Sequence, residues 1–253
     1  MAQDRLRLDK IISSQLGLSR REVKALCRRG RITVDGRAVL DPAEKADPET
    51  QEISMDGQRI VYRGYVYLML NKPAGWLSAS RDPARPTVVD LAPPQFAHRD
   101  LFPVGRLDRD TTGLLLLTDD GDTAHRLLSP RRHVPKVYDA ALDQPLPEDA
   151  LRAFAEGVVL ADGTRCAPAE IQILRQEDKP TVRIVLTQGM YHQVKRMLGV
   201  FGCGVLSLHR AWMGPISLDS SLAPGECREL TPQEREALLK AAYEPEEGGA
   251  GSP

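Results

Sequence analysis

The 253-residue chain is 42% hydrophobic, 27% charged and only 5% aromatic, with a formal net charge of −1. That balance predicts a folded, mainly aliphatic core and excludes a low-complexity or disordered polypeptide. Cys27, Cys166, Cys203 and Cys227 form no C-x-x-C and no apolar run reaches membrane-spanning length, which argues against a disulfide scaffold, a cysteine zinc site or a membrane span and predicts a cytoplasmic protein.

In chain order, Leu8, Ile11, Ile12 and Leu16 share one helical face and predict a helix over 5–17 stopped by Gly17. Ser19 and Glu22 form an S-x-x-E capping box for a second helix, with Val23, Leu26 and Cys27 inward and Gly30 as its stop. Residues 32–34, the pair Asp35-Gly36 and residues 38–40 predict a hairpin. Residues 41–50 read as an acidic loop and 53–61 as one strand and a linker.

A second domain is expected to start near Tyr65 with a strand running into Asn71-Lys72-Pro73-Ala74-Gly75. The proline-rich stretch 81–100 reads as irregular. Residues 104–108 lead into Thr111-Thr112-Gly113 and the apolar run 114–117, a buried strand. Asp119-Asp120-Gly121-Asp122 makes a turn and caps a helix to Leu128. Residues 137–142, 182–186 and 205–208 predict strands. A helix with Val194, Met197, Leu198 and Phe201 inward stops at Gly202, and the Thr231–Glu234 box opens a last helix to about 242. The acidic EPEEGGAGSP end predicts a disordered tail. Strands outnumber helices without β-α-β alternation, so the fold class is α+β with a mixed, mostly antiparallel sheet flanked by helices. Expected boundaries are 1–62, 63–242 and a tail over 243–253.

The near-neutral charge conceals a polarised chain. Residues 1–37 hold ten Lys/Arg against four acids, whereas 38–62 and the end from Glu226 are acidic. Arg20, Arg21, Lys24, Arg28, Arg29 and Arg31 cluster on and beside the second helix, a cationic face suited to a phosphate backbone. The same pattern fits a solvated helix face. The order of elements decides between them: residues 6–39, LRLDKIISSQLGLSRREVKALCRRGRITVDGRAV, resemble the S4 (αL-type) RNA-binding domain, which implies structured RNA as partner.

Gly105-Arg106-Leu107-Asp108-Arg109-Asp110-Thr111-Thr112-Gly113 joins a charged turn to a buried strand. A carboxylate at such a strand mouth can remain ionised in a partly dry site when a cation compensates its desolvation. It can equally be a turn-capping acid paired with Arg106 or Arg109. The motif G-R-L-D-x-D-T-x-G-L-L-L-L-T resembles the centre of the pseudouridine synthases of the small-subunit rRNA group. Lys72-Pro73-Ala74-Gly75, Lys136-Val137-Tyr138 and Gly189-Met190-Tyr191-His192-Gln193-Val194-Lys195-Arg196-Met197 are similar to three further motifs of that family, in order and spacing.

The resemblance implies that Asp108 is the essential carboxylate and Tyr138 the residue stacked on the target base. It makes Lys195 the cation paired with Asp108, with Arg196 as alternative partner or phosphate contact. Arg106 either fills the gap left by an extruded nucleotide or forms a salt bridge to Asp108 or Asp110. Three roles suit the anion: attack on the ribose, attack on the base, or help in removing a sugar proton. Isomerisation needs no cofactor, and the five histidines show no metal-ligand spacing. His192 reads as a hydrogen-bonding helix residue. Arg131-Arg132-His133 reads equally as an RNA-backbone contact or solvated charge.

The expected substrate is ribosomal RNA, free or in an assembly particle, and the expected state a monomer. The segment TDDGDTAHRLLSPRRHVPKVY and the H-Q-V-K-R-M form favour the 16S enzyme acting at uridine 516. A 23S rRNA enzyme, or a non-catalytic S4-type assembly factor, would be the alternatives. The latter has no need of the Asp108, Tyr138 and Lys195 set.

Overall fold

The structure, a computed structural model, describes residues 5–244. The chain forms two compact units. One runs to Val66 and adds Pro94–Asp100; the other comprises Tyr67–Pro93 and the chain from Leu101 onward.

In the first unit, β1 (Leu6–Arg7) leads into α1 (Leu8–Leu16) and α2 (Arg20–Arg28). Short strands follow: β2 (Ile32–Val34), β3 (Arg37–Ala38), β4 (Lys45–Ala46), β5 (Ile53–Met55) and β6 (Gln58–Arg59). Gly17 ends α1 at φ +68°, its N–H bonded to the Ser13 carbonyl, and the Ser19–Glu22 box caps α2 reciprocally. Leu8, Ile11, Ile12, Val23, Cys27 and Ile32 make the core.

The first unit departs from expectation in three places. Leu16 faces solvent. Residues 6–7 are extended because they pair with 45–46, so the acidic stretch is not wholly loop. Residues 53–61 form a hairpin, because Asp56 and Gly57 both take positive φ and reverse the chain.

The second unit is built on one sheet. Its strands are β7 (Tyr67–Lys72), β8 (Phe102–Pro103), β9 (Thr112–Thr118), β10 (Lys136–Leu142), β11 (Glu170–Arg175), β12 (Thr181–Leu186), β13 (Val205–Met213), β14 (Ile216–Ser217) and β15 (Cys227–Glu229). Its helices are α3 (Gly121–Leu128), α4 (Asp149–Glu156), α5 (Gln193–Gly199) and α6 (Pro232–Tyr243). The order is β11-β12-β10-β13-β9-β7-β15, with β14 on β13 and β8 on β9. Every pairing is antiparallel except β13 with β9. The fold is α+β with a mixed, mostly antiparallel sheet.

Leu114 and Leu116 of β9 pack with Met69, Leu127 and Leu238, while Ala140, Ile184, Met197 and Phe154 centre a second cluster. Five elements of this unit had no sequence expectation: the short strands β8, β14 and β15, and α4 and β11. α4 buries only Ala150 and Phe154, too thin a stripe to stand out. β11 is an edge strand with no fully buried residue. Phe201 lies beyond the end of α5 and is half-buried.

The expected tail is corrected at its start. Tyr243 ends α6 with Arg126 over its ring and its hydroxyl 3.1 Å from Thr123 Oγ1; residues 245–253 lie outside the described chain. Among the described residues no helix is long and apolar enough to cross a membrane.

One row of residues runs across the sheet. Lys72 pairs with Gly113, Gly113 with Arg210, Arg210 with Tyr138 and Tyr138 with Ile184. Gly113 sits at φ +100°, and a Cβ there would be driven into the Arg210 backbone. Gly113→Ala is therefore expected to cost about 1–3 kcal/mol for the backbone conformation and about as much again for overpacking. Urea unfolding should show it. A loss below about 1 kcal/mol would mean that the β9–β13 seam is not tight.

Candidate active site

The loop before β9 carries Asp108, and neighbouring groups clamp it on both sides. Ser78 Oγ donates to the Leu107 carbonyl at 2.8 Å and accepts the Leu107 N–H at 3.0 Å. The Arg109 carbonyl accepts the Gly75 N–H at 2.7 Å, and Arg109 Nε returns a bond to the Gly75 carbonyl at 3.2 Å. The Thr111 N–H closes the turn onto the Asp108 carbonyl at 3.1 Å. A carboxylate held this way is positioned before any ligand arrives.

Beneath the loop lies Lys72, with no solvent exposure. Its Nζ donates to the carbonyls of Pro73 (3.0 Å), Arg109 (3.2 Å) and Thr111 (2.8 Å). Three hydrogens meet three acceptors, so the ammonium is satisfied without a carboxylate in contact. Burial pushes it from 10.5 down to about 8, against the opposing pull of Asp110 and Asp108.

The depressed value has a stability consequence. Between pH 8 and 10.5 the unfolded lysine still holds a proton that the folded one has released, so the native state gains stability as pH rises through that window. The stability of the wild type relative to Lys72→Met should improve from pH 8 to 10.5 in urea titrations. A flat difference would show that Lys72 keeps its ordinary value.

The Asp108 side chain is 27% exposed, with Lys195 Nζ 3.6 Å from Oδ2 and His192 Nε2 3.5 Å from Oδ1. Lys195 makes its tighter contact to Asp110, 2.7 Å to each oxygen. That bond holds the Asp110 carboxyl below the usual carboxylate range. Asp110 is 73% exposed and Asp108 is not. Lys195 therefore bridges an outer and an inner carboxylate. Arg196 turns to Asp162 instead, so Lys195 is the one of the two cations that approaches Asp108.

A cavity of about 530 Å³ opens beside this group. Arg106, Asp108, Lys136, Tyr138, His192 and Arg210 are among the residues lining it. The volume suits a nucleotide-sized ligand. Arg106 is exposed and forms no ion pair among the described residues, so the salt-bridge alternative finds no support. His192 is the N-cap residue before α5, at φ +49°, and stacks on the exposed Tyr191 ring, centroids 3.9 Å apart. Its Nε2 lies 3.5 Å from Asp108 Oδ1, so it faces the carboxylate from the helix cap rather than from within the helix.

In the sequence, Lys72, Thr111 and Lys136 stand out only as motif letters without a role, and Ser78 and Arg210 do not stand out at all. Nothing local marks a serine or an arginine whose importance comes from cross-strand register.

In the first unit, Arg20, Arg21, Lys24, Arg28 and Arg29 are exposed. Of the expected set only Arg31 is held in an ion pair among the described residues, its Nε 2.6 Å from Asp56 Oδ1. The other five cations, on one short helix and its exit, remain available to an anionic ligand.

Residues 66–199 match the family model of the RNA pseudouridylate synthases and residues 6–51 that of the S4 domain. An RNA pseudouridine synthase of Bacillus subtilis is 44% identical over 92% of this chain and 98% of its own. The ribosomal small subunit pseudouridine synthase A of Escherichia coli is 44% identical over 90% and 98%. A crystal structure of a pseudouridylate synthase aligns at a TM-score of 0.64 with 37% identity, covering 92% of this chain and 99% of that one.

Proposed function

The chain belongs to the RNA pseudouridylate synthase family and carries an S4 domain ahead of that fold, and on this premise we propose that it converts a uridine of ribosomal RNA to pseudouridine. The C1′–N1 bond breaks, a C1′–C5 bond forms, N1 takes a proton and C5 gives one up. The net change is an isomerisation, so atoms and electrons balance within one nucleotide.

The observation that carries the proposal is Asp108: an inner carboxylate beside Lys195 and His192, at a cavity of nucleotide size. Departure of uracil builds positive charge at the anomeric carbon. An anion fixed there stabilises that charge, by field or by covalent attack. Tyr138, lining the same cavity, stacks on the extruded base, and exposed Arg106 occupies the vacated stack. Arg196, tied to Asp162, serves the RNA backbone or the loop rather than Asp108.

The finer proposal is the small subunit, uridine 516 of 16S rRNA. The naming of the Escherichia coli relative as a ribosomal small subunit enzyme supports it. Purified protein should introduce carbodiimide-detectable pseudouridine into unmodified 16S transcript or assembly intermediate and leave 23S transcript unchanged. Modification of 23S alone would move the assignment to the other subunit; none in either would leave an RNA binder.

The S4 unit supplies affinity. Neutralising Arg21, Lys24 and Arg28 together should weaken rRNA binding and flatten its salt dependence by roughly 0.7 for each phosphate no longer neutralised. Filter binding across a salt series reads both. An unchanged slope would show that this face is merely solvated.

A further inference from the structure

We infer that Arg210, with Lys136 beside it, reads the carbonyl oxygens of the base that enters the cavity, and so selects uracil over cytosine. The inference rests on the reaction proposed above and adds to it a residue that chooses the substrate.

Arg210 is 2% exposed and lines the cavity. Its Nε donates to the Leu114 carbonyl at 2.8 Å, but its Nη2 is buried without any hydrogen-bond partner. Thr111 Oγ1, also on the cavity wall and 1% exposed, is likewise unpartnered. Lys136 Nζ is bonded to the Val134 carbonyl at 2.8 Å, with the Thr187 carbonyl at 3.5 Å. Burial and the Arg210 charge lower Lys136 together. No carboxylate of the described residues pairs with Arg210 or Lys136. A buried guanidinium N–H left unpaired is costly, which points to a ligand acceptor that completes it.

The depth of these groups indicates what that acceptor is. Phosphates stay at the rim of a pocket, whereas the groove floor meets the base. Uracil offers O2 and O4 on either side of N3–H, on the edge away from the ribose. When attachment passes from N1 to C5, the ring turns about the line through N3 and C6, and O2 and O4 exchange places. A fixed donor thus meets a carbonyl oxygen before and after the turn. Cytosine carries an amino group at position 4, so at one of the two stages its N–H would face a guanidinium that has no acceptor. A site built on a buried hydrogen bond rejects such an analogue far more strongly than shape alone does.

Gly113 makes this placement feasible. Lacking a side chain between Lys72 and Arg210 in the cross-sheet row, it leaves the Arg210 backbone in direct contact with β9.

The test is a cycle between residue and atom. Wild type, Arg210→Met and Lys136→Met are assayed on rRNA carrying uridine, 2-thiouridine or 4-thiouridine at the target, since sulfur is a poor acceptor. Wild type should slow about tenfold or more on at least one thio substrate, and Arg210→Met should be slow on uridine yet show little further thio effect. Should Arg210→Met fail to fold, Lys136→Met carries the same comparison. Equal thio effects in wild type and in every folded variant would overturn the inference and leave the enzyme assignment standing. A wild type that forms no pseudouridine in any rRNA overturns that assignment first, and the inference with it.

Discussion

Asp108→Asn is expected to lower pseudouridine formation about 10³-fold or more, which is ~4 kcal/mol of barrier at 25 °C, with rRNA affinity almost unchanged. Asn has the size of Asp and accepts at one oxygen, so the loop should survive. Its backbone is fixed by Ser78 on the Leu107 side and by Lys72 and Gly75 on the Arg109 side, none of which bonds the Asp108 carboxylate. What disappears is the charge that the proposed reaction sets against the anomeric carbon. Asp110→Asn is the matched control: its carboxylate is 73% exposed and lies outside the cavity lining, so its loss should cost far less. Single-turnover rates on a transcript, alongside filter binding, separate the two quantities. Equal losses at Asp108 and Asp110, or full activity of Asp108→Asn, would remove Asp108 from the chemistry.

The extent to which this arrangement is readable in the sequence follows from how local each signal is. The Ser19–Glu22 and Thr231–Glu234 boxes, the Gly17 stop and the buried run of β9 depend on residues adjacent in sequence, and the structure shows each as expected. The hairpin at Asp56-Gly57 escapes notice although its signal equals that of Asp35-Gly36, because apolar Ile53 and Val61 suggest one continuous strand. The pairing of 6–7 with 45–46 joins segments nearly forty residues apart and leaves no local trace.

The same division holds in the site. Asp108, Tyr138 and Lys195 are legible as motif letters. That Lys195 binds Asp110 more closely than Asp108, and that Arg196 leaves for Asp162, depend on loop conformations that no spacing encodes. Arg210 enters only through register: Gly113 admits it, and Tyr138 stands across from it.

Lys195→Met is expected to reduce kcat about 10²-fold while raising the pH at which Asp110 titrates. Lys195 is 23% exposed and shared by two carboxylates, 2.7 Å from Asp110 and 3.6 Å from Asp108. Removing it leaves two acids close together, with the buried Lys72 beneath the loop and His192 beside Asp108 but no cation bridging the pair, so charge compensation at the inner carboxylate weakens. Methionine keeps the apolar stem of the side chain, so α5 should persist on Val194, Met197 and Leu198. Lys195→Arg keeps the charge and should retain much of the rate, although a planar fork cannot straddle both acids as a point charge does.

The pH consequence has a definite sign. In the wild type Asp110 is held below its ordinary value, so its contribution to stability is present above about pH 4 and disappears as acid protonates the folded carboxylate. In Lys195→Met that contribution is absent throughout. The stability difference between the two proteins should therefore shrink as pH falls below about 4, and carboxylate NMR should show Asp110 titrating higher in the variant. An unchanged Asp110 titration with a large rate loss would mean that Lys195 acts on the substrate directly rather than through the acids.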